Sequence, residues 1–590
     1  MYLKKFLFLV AGIFLLSIFF ACEKTLDEEL EEDTQESIED TEDTADDADE
    51  ENSGDHEETA DYTWDNSQVV SVVLNGSSIT VNGSGATVSG SKLTITAAGT
   101  YSLSGSLTNG QVIVNTSDKA IVRLILNGAN ITCSNNAPID IENAEKAMIV
   151  LAENTNSILK DGTSYSLASG TDEPNAALYS ASDLTIYGNG SLTVDANYND
   201  GIVSKDGLII KSGTITIDAV DDGIRGKDYL IVKSGTILLT AGGDGLKSDN
   251  EEDSTKGYIS VETGTVTITA GGDAIAAETD VIIADGTFNL TSGGGSSKTV
   301  TSDLSAKGIK GVASVIIDKG IFTISSADDA IHSNGSVVIN NGTFAISSGD
   351  DGIHADSSLG INGGEINITK SYEGIESKII KTTAGTIHIK ASDDGVNVAG
   401  GNDGSGMGGW PGNISTSGNY YLYINGGYIY VNATGDGIDV NGTIEMTAGT
   451  VIVDGPTSNG NGALDYDAGF KISGGFLIAA GSSGMAQAPG TTSTQNSVLI
   501  NFTSSRSAGT LINIQTSAGK ELFTFAAAKS YQSIAFSSPD ITKGTTYDVY
   551  SGGNSTGTVT DGLYSNGVYS SGTKYTSFTV LGTTTKITSK

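Results

Sequence analysis

Residues 201–222 read GIVSKDGLIIKSGTITIDAVDD, and residues 223–244 read GIRGKDYLIVKSGTILLTAGGD. The two segments share 13 of 22 positions. The same frame restarts at Gly245, Ala274, Gly308, Ala330, Gly352, Gly374, Gly395 and Gly437, most often 22 residues after the previous start. The longer intervals therefore read as insertions into one repeating unit. Each unit holds three short runs that alternate β-branched with small polar residues, such as Leu208-Ile209-Ile210 and Thr214-Ile215-Thr216-Ile217. Three strands and three turns in 22 residues leave no room for a crossover helix. The unit predicts one coil of a right-handed parallel β-helix, an all-β solenoid whose strands pair with their copies about 4.8 Å along the axis. A leucine-rich repeat is excluded, because its Leu-x-x-Leu-x-Leu-x-x-Asn ladder is missing.

Outward from this array the pattern loosens. Between Trp64 and about Asn197, runs such as Leu93-Thr94-Ile95 and Val122-Arg123-Leu124-Ile125-Leu126 predict early coils and a cap. Beyond about residue 490, Val498–Phe502, Leu511–Ile514 and Tyr547–Tyr550 predict strands of a terminal β module covering the other end. The expected organisation is a signal segment at 1–22, an acidic disordered tether at 23–63, the solenoid at 64–490, and a C-terminal β module at 491–590. The composition, with 77 Gly and 6 Pro in 590 residues, agrees with many tight turns.

The net charge of −40 is unevenly spread. Glu23 to Asp61 holds 21 acidic residues and one Lys, a tract that repels itself and buries nothing. Nucleic acid is thereby an unfavourable partner. Ahead of the tract, Lys4 and Lys5 precede an apolar run from Phe6 to Phe20, then Ala21 and Cys22. That run is short for a membrane span and has the order of a secretory leader. Its Phe-Phe-Ala-Cys end resembles a bacterial lipobox, although Phe19 replaces the usual Leu. The resemblance implies lipidation at Cys22 and an extracytoplasmic protein held at the outer membrane or cell surface. The acids behind Cys22 also resemble the surface-export signal of Bacteroidetes-type lipoproteins. The second cysteine, Cys133, reads as a small, partly buried strand residue.

Equal positions in successive coils form columns, and two columns carry chemistry. The residue before each unit gives Asp200, Asp222, Asp244, Asp273, Lys307, Asp329, Asp351, Glu373, Asp394 and Asp436, with Asp221, Asp328, Asp350 and Asp393 doubling the acid. Carboxylates stacked one coil apart repel by roughly 3.5 kcal/mol at an effective dielectric near 20. Splaying into water, capture by turn N–H groups or a bound cation must relieve that repulsion. Oxygen-rich clusters of this type suit Ca²⁺. Candidate ligands are Asp221, Asp222 and Asp244, the quartet Asp328, Asp329, Asp350 and Asp351, and the pair Asp249 and Asp253 within Asp249–Asp253. The plain alternative is Asp-Gly turn chemistry.

Two residues past each unit's first Gly or Ala stands a second column: Val203, Arg225, Lys247, Ala276, Lys310, His332, His354, Glu376, Asn397 and Asp439. Alternation points it outward. Arg225, Lys247 and Lys310, with Lys205 and Lys227 nearby, predict a basic strip for a carbohydrate bearing acid groups, or else a set of counter-charges for the aspartates. His332 and His354 stand as neighbours, but two imidazoles alone make a small ligand set. Trp410, in the Gly-rich stretch 401–412, offers a ring on which a sugar could stack. No catalytic residue is expected from motif: G-x-S-x-G, H-E-x-x-H and P-loop patterns are missing, and choosing two carboxylates as a glycosidase pair would be arbitrary.

Several segments together carry a family resemblance. They are Ser182–Val194 (SDLTIYGNGSLTV), Asn199–Ile202, Asp221–Asp228, Gly243–Asn250, the loop from Gly401 and Ser537-Ser538-Pro539. From about Tyr62 onward the chain resembles bacterial carbohydrate-binding β-helix proteins, long a domain of unknown function. The resemblance implies a polysaccharide-lyase-like fold, bound calcium, and binding of cellulose or acidic plant polysaccharide without established catalysis. Two alternatives stay open: a calcium-dependent pectate-type lyase with Arg225 or Lys247 as base, and an adhesin with a purely structural solenoid.

Overall fold

The computed structural model describes residues 52, 56–301, 304–400 and 419–588. Cys22, the acidic tract through residue 51 and Trp410 lie outside the described residues. Apart from two short 3-10 turns, Thr59–Tyr62 and Asn66–Gln68, the described chain consists of strands and their connections. None of its helices is long and apolar enough to cross a membrane.

The repeat becomes one long, mostly parallel sheet wound coil upon coil. Asp200–Ser204, Gly207–Ile210 and Thr214–Ala219 form the three strands of one coil. They pair in parallel with Ile224–Gly226, Tyr229–Val232 and Thr236–Ala241 of the next. Ile202 lies opposite Ile224, and Ile224 opposite Leu246, so like residues stack on like. The inward side chains, from Val72 to Ala535, make one continuous buried cluster. Each buried Ile, Val, Leu or Phe contributes roughly 1.5–3 kcal/mol of transfer free energy. Within this core Phe288, Phe322 and Phe344 stack with ring centroids 4.8 and 4.6 Å apart. The turn into the third strand needs glycine: Gly213, Gly235 and Gly264 have φ of 115°, 116° and 141°, a region costly for residues with a Cβ.

The ends depart from the parallel pattern. At the start, Val70–Gly76 pairs antiparallel with Ile79–Asn82, and Ala86–Ser89 with Lys92–Ile95. At the finish, Tyr531–Ser537 pairs antiparallel with both Phe476–Gly481 and Ser497–Arg506. A separate six-stranded sheet includes Ile512–Thr516 and Thr546–Ser551, in agreement with the strands predicted there. A second apolar cluster, with Phe523, Phe536 and Phe578, joins it to the last coils. Cys133 is buried one residue past the strand Val122–Thr132.

One expectation is corrected within the tether. Residues 56–63, assigned to a disordered spacer, are docked along the outside of the solenoid. Glu57 pairs with Lys211 at 2.8 Å and Lys233 at 3.3 Å, and Asp61 with Lys146 at 2.7 Å. His56 stacks on Tyr229, and Lys211 lies 4.0 Å above the Tyr62 ring. Acidity made this stretch look solvated. It is instead matched to lysines of three different coils, a pairing that adjacency in sequence does not show.

Candidate functional site

The acid column is built by backbone as much as by charge. Asp200 Oδ1 accepts the N–H of Asp222 at 3.1 Å, Asp222 that of Asp244 at 2.9 Å, and Asp244 that of Asp273 at 2.8 Å. Farther along, Asp329 accepts from Asp351 at 2.9 Å, and Asp351 from Glu373 at 3.1 Å. Capture by turn N–H groups is therefore one of the ways the stack is relieved. The second carboxylate oxygen is left for the neighbouring column.

On the early coils that column supplies the counter-charge. Lys247 Nζ lies 3.1 Å from Asp222 and 2.8 Å from Asp244. Arg225 reaches Asp249 at 2.6 Å and Asp200 at 4.0 Å, and Lys310 approaches Asp273 at 3.9 Å. Burial opposes the charge on Lys247, but Asp244 and Asp222 outweigh it and raise its pKa. Burial, then the Asp222 charge, pushes Asp200 up to about 7. The expected basic strip is thus largely an ion-pair ladder. Lys205 is likewise paired, with Glu173. Lys227 is half-buried, its backbone bound to Ser204.

Where the column reads Ala276, no long side chain fills the space. Ala276 lies between Lys247 and Lys310 in register, and a cleft of about 330 Å³ opens there. Asp221, Asp222, Asp244, Asp249, Asp273 and Glu278 line it with Lys247 and Lys310; Leu304 and Ser305, from the longest of the early insertions, close one side. The volume is at the lower end of ligand pockets. Six carboxylates against two ammonium groups make it acidic overall, which counting only the basic column conceals.

The other expected calcium ligands divide. Asp328, Asp329 and Asp350 bring ligand oxygens within 4.8 Å of one another. Asp351 does not complete that group; it turns to His354 and Glu376. A cation is already present, since Lys307 Nζ is 3.2 Å from Asp328 and 2.7 Å from Asp329. Asp249 is taken by Arg225, and the exposed Asp253 turns back onto the N–H and hydroxyl of Thr255. These two are not brought together as a pair of ligands.

Of the second column, Arg225, Lys247, Ala276, Lys310 and Asp439 reach the surface, whereas Val203 is buried and so are most of the later members. His332, His354, Glu376 and Asn397 are all buried. Strand alternation gives the direction of a side chain, whereas stacked neighbours decide whether water reaches it. The grouping of Asp394, Asp436 and Asp439, with ligand oxygens within 4.8 Å, was also missed as a cluster. Both columns contained these residues, so reading across columns as well as along them would have found it.

A parallel β-solenoid with a laddered, clefted face defines the structural class. Over residues 89–352 the chain belongs to the carbohydrate-binding domain-containing family. That segment includes the cleft, while the resemblance read beyond residue 352 lies outside the match. A carbohydrate-binding domain-containing protein of Acetivibrio thermocellus is 37% identical over 126 residues, 21% of this chain and 44% of the relative. The chain thus spans less than half the length of that curated relative. A solved polysaccharide lyase-like protein from C. thermocellum, a gadolinium derivative, is 36% identical, covers 37% of this chain and 90% of its own, and gives a TM-score of 0.36.

Proposed function

We propose that this chain is an exported lipoprotein, anchored through Cys22, that binds extracellular polysaccharide along the face carrying the Ala276 cleft. The fold in this reading is a right-handed β-helix, its open ends covered by the N-terminal hairpins and the C-terminal module. One observation carries the site: the cleft opens where the basic column is interrupted, inside the family segment. Its carboxylates can accept hydroxyl protons of a neutral glycan such as cellulose, and its lysines can donate. For an acidic polymer the net negative lining requires a bridging cation. Calcium fits that role, with Asp221, Asp222 and Asp244 of the cleft lining as oxygen donors.

The binding reading is favoured over a lyase by the state of the bases. Lys247 is held protonated by Asp222 and Asp244, and Arg225 is engaged with Asp249, so neither is poised to take a proton. Affinity gels of polygalacturonate and cellulose, run with calcium and with chelator, test the proposal. Retardation by polygalacturonate should vanish in chelator. Lys247→Ala combined with Lys310→Ala should weaken it by on the order of 10-fold, and weaken cellulose binding less. Unchanged retardation of the variant on both polymers would place the site elsewhere. Release of ultraviolet-absorbing unsaturated uronates would replace binding with lyase chemistry.

A further inference from the structure

We propose that Asp351, His354 and Glu376 form a buried site for a divalent transition ion of the zinc class. The site is separate from the cleft and uses no residue of its lining. Asp351 and His354 belong to one coil, and Glu376 lies opposite His354 on the next. His354 Nδ1 is 3.2 Å from Asp351 Oδ2 and 3.8 Å from Glu376 Oε2. An ion with tetrahedral bonds of about 2.0–2.1 Å holds its ligand atoms roughly 3.3 Å apart, so the observed spacing needs little adjustment. His354 is 1% exposed, and Asp351 and Glu376 are each 4% exposed.

The remaining polar atom of each ligand is fixed by a neighbour. Asp351 Oδ1 accepts the Glu373 N–H at 3.1 Å. Glu376 Oε1 accepts Asn397 Nδ2 at 3.3 Å. His354 Nε2 is 3.2 Å from Asp356 Oδ1, which can accept its proton when Nδ1 binds the ion. This leaves Nδ1, Asp351 Oδ2 and Glu376 Oε2 converging as electron-pair donors. A carboxylate on the far ring nitrogen is also the usual partner of a metal-bound imidazole.

The nitrogen donor and compact set of three select a borderline ion over Ca²⁺, which takes six to eight oxygens. The preceding coil repeats half of the arrangement, with His332 Nδ1 2.9 Å from Asp329. There Lys307 already sits 2.7 Å from Asp329, so positive charge is supplied by the chain itself. The exchange of lysine-neutralised acid for imidazole and glutamate places the ion one coil later.

The purified chain, stripped with chelator, is titrated with Zn²⁺ alone by calorimetry, and bound metal is counted by mass spectrometry in excess Ca²⁺, added to compete for all-oxygen sites. One equivalent should survive the calcium. His354→Gln and Glu376→Gln should each weaken it by on the order of 100-fold, and Asp356→Asn, which keeps all three ligands, by about 10-fold. His388→Gln, at a surface imidazole, should change nothing. Because the ligand variants alter a buried cluster, Co²⁺-loaded Asp356→Asn provides a second measure: its visible absorption should shift from that of the parent. No zinc uptake by the parent, or equal uptake by His354→Gln and Glu376→Gln, would show that protons alone hold the cluster and would overturn the proposal.

Discussion

Lys307 shows how much one residue in a ladder can decide. It stands where the other coils carry Asp or Glu, and its ammonium is bound by Asp328 and Asp329. Burial alone would raise the Asp329 pKa, but Lys307 and then His332 bring it below the ordinary carboxylate range. A depressed carboxylate contributes stability that is present above its unfolded pKa of about 3.9 and lost as pH falls through the folded value. Lys307→Met should remove that contribution and leave a buried carboxylate without its cation. The expected loss is about 3 kcal/mol at neutral pH, read as a lower urea midpoint. An unchanged midpoint would mean that His332 suffices as the partner. The exception at 307 was visible in the sequence as a break in the column. Its neighbour Asp329 stood next in the same column; what the sequence did not show is that one ammonium reaches both Asp328 and Asp329, at 3.2 and 2.7 Å.

At the scale of the element, the carboxylate column is a titrating ladder. On the later coils basic partners give way to acids. Burial, followed by neighbouring carboxylates, pushes Asp439 up to about 7; burial together with the Asp465 and Asp393 charges, partly offset by the Gly462 N–H, puts Asp436 at about 6. Asp394 reaches about 8 through burial, although the Asp436 N–H pulls the other way. A carboxyl whose folded pKa is raised stabilises the fold fully below its unfolded pKa, and that stability is lost as pH rises through the folded value. The sign is therefore opposite to that of Asp329. In chelator the melting temperature should fall between about pH 4 and pH 8, and added Ca²⁺ should flatten the decline. A melting temperature independent of pH over this range, by scanning fluorimetry, would show these acids to be solvated. The repulsion was legible from the column spacing; its relief by N–H capture depended on turn geometry.

For the whole molecule, the decisive feature is how the solenoid is tied to its N-terminal segment. Residues 56–63 run across several coils, and Asn52 Nδ2 donates to Asp280 at 2.8 Å. Asn52 thus lies against the coil that contains Ala276. Cys22 lies 30 residues before Asn52, a contour of at most about 100 Å. Replacing Cys22 with Ser should move the protein from the membrane fraction to the soluble fraction without changing polysaccharide binding. Continued sedimentation with membranes would sink the lipid anchor. Since the docked segment spans coils, this variant should leave the melting temperature unaltered, which separates loss of the anchor from loss of fold.

The sequence by itself determined the stacked parallel strands, because a 22-residue period with three alternating runs has few other ways to bury its apolar face. It also determined which residues share a column, since equal positions in equal coils must stack. Tertiary structure decided what those columns do. Lys247 and Arg225 read along the chain either as a strip for an acidic glycan or as counter-charges, and their nearest carboxylates make them counter-ions. Ala276 looked featureless, yet the side chain it lacks opens the cleft. His354 looked like one of two lone imidazoles, and only lateral packing set Asp351, Glu376 and Asp356 around it. Periodicity specifies spacing along the axis, whereas charge, burial and coordination depend on distances across it, which the period does not contain.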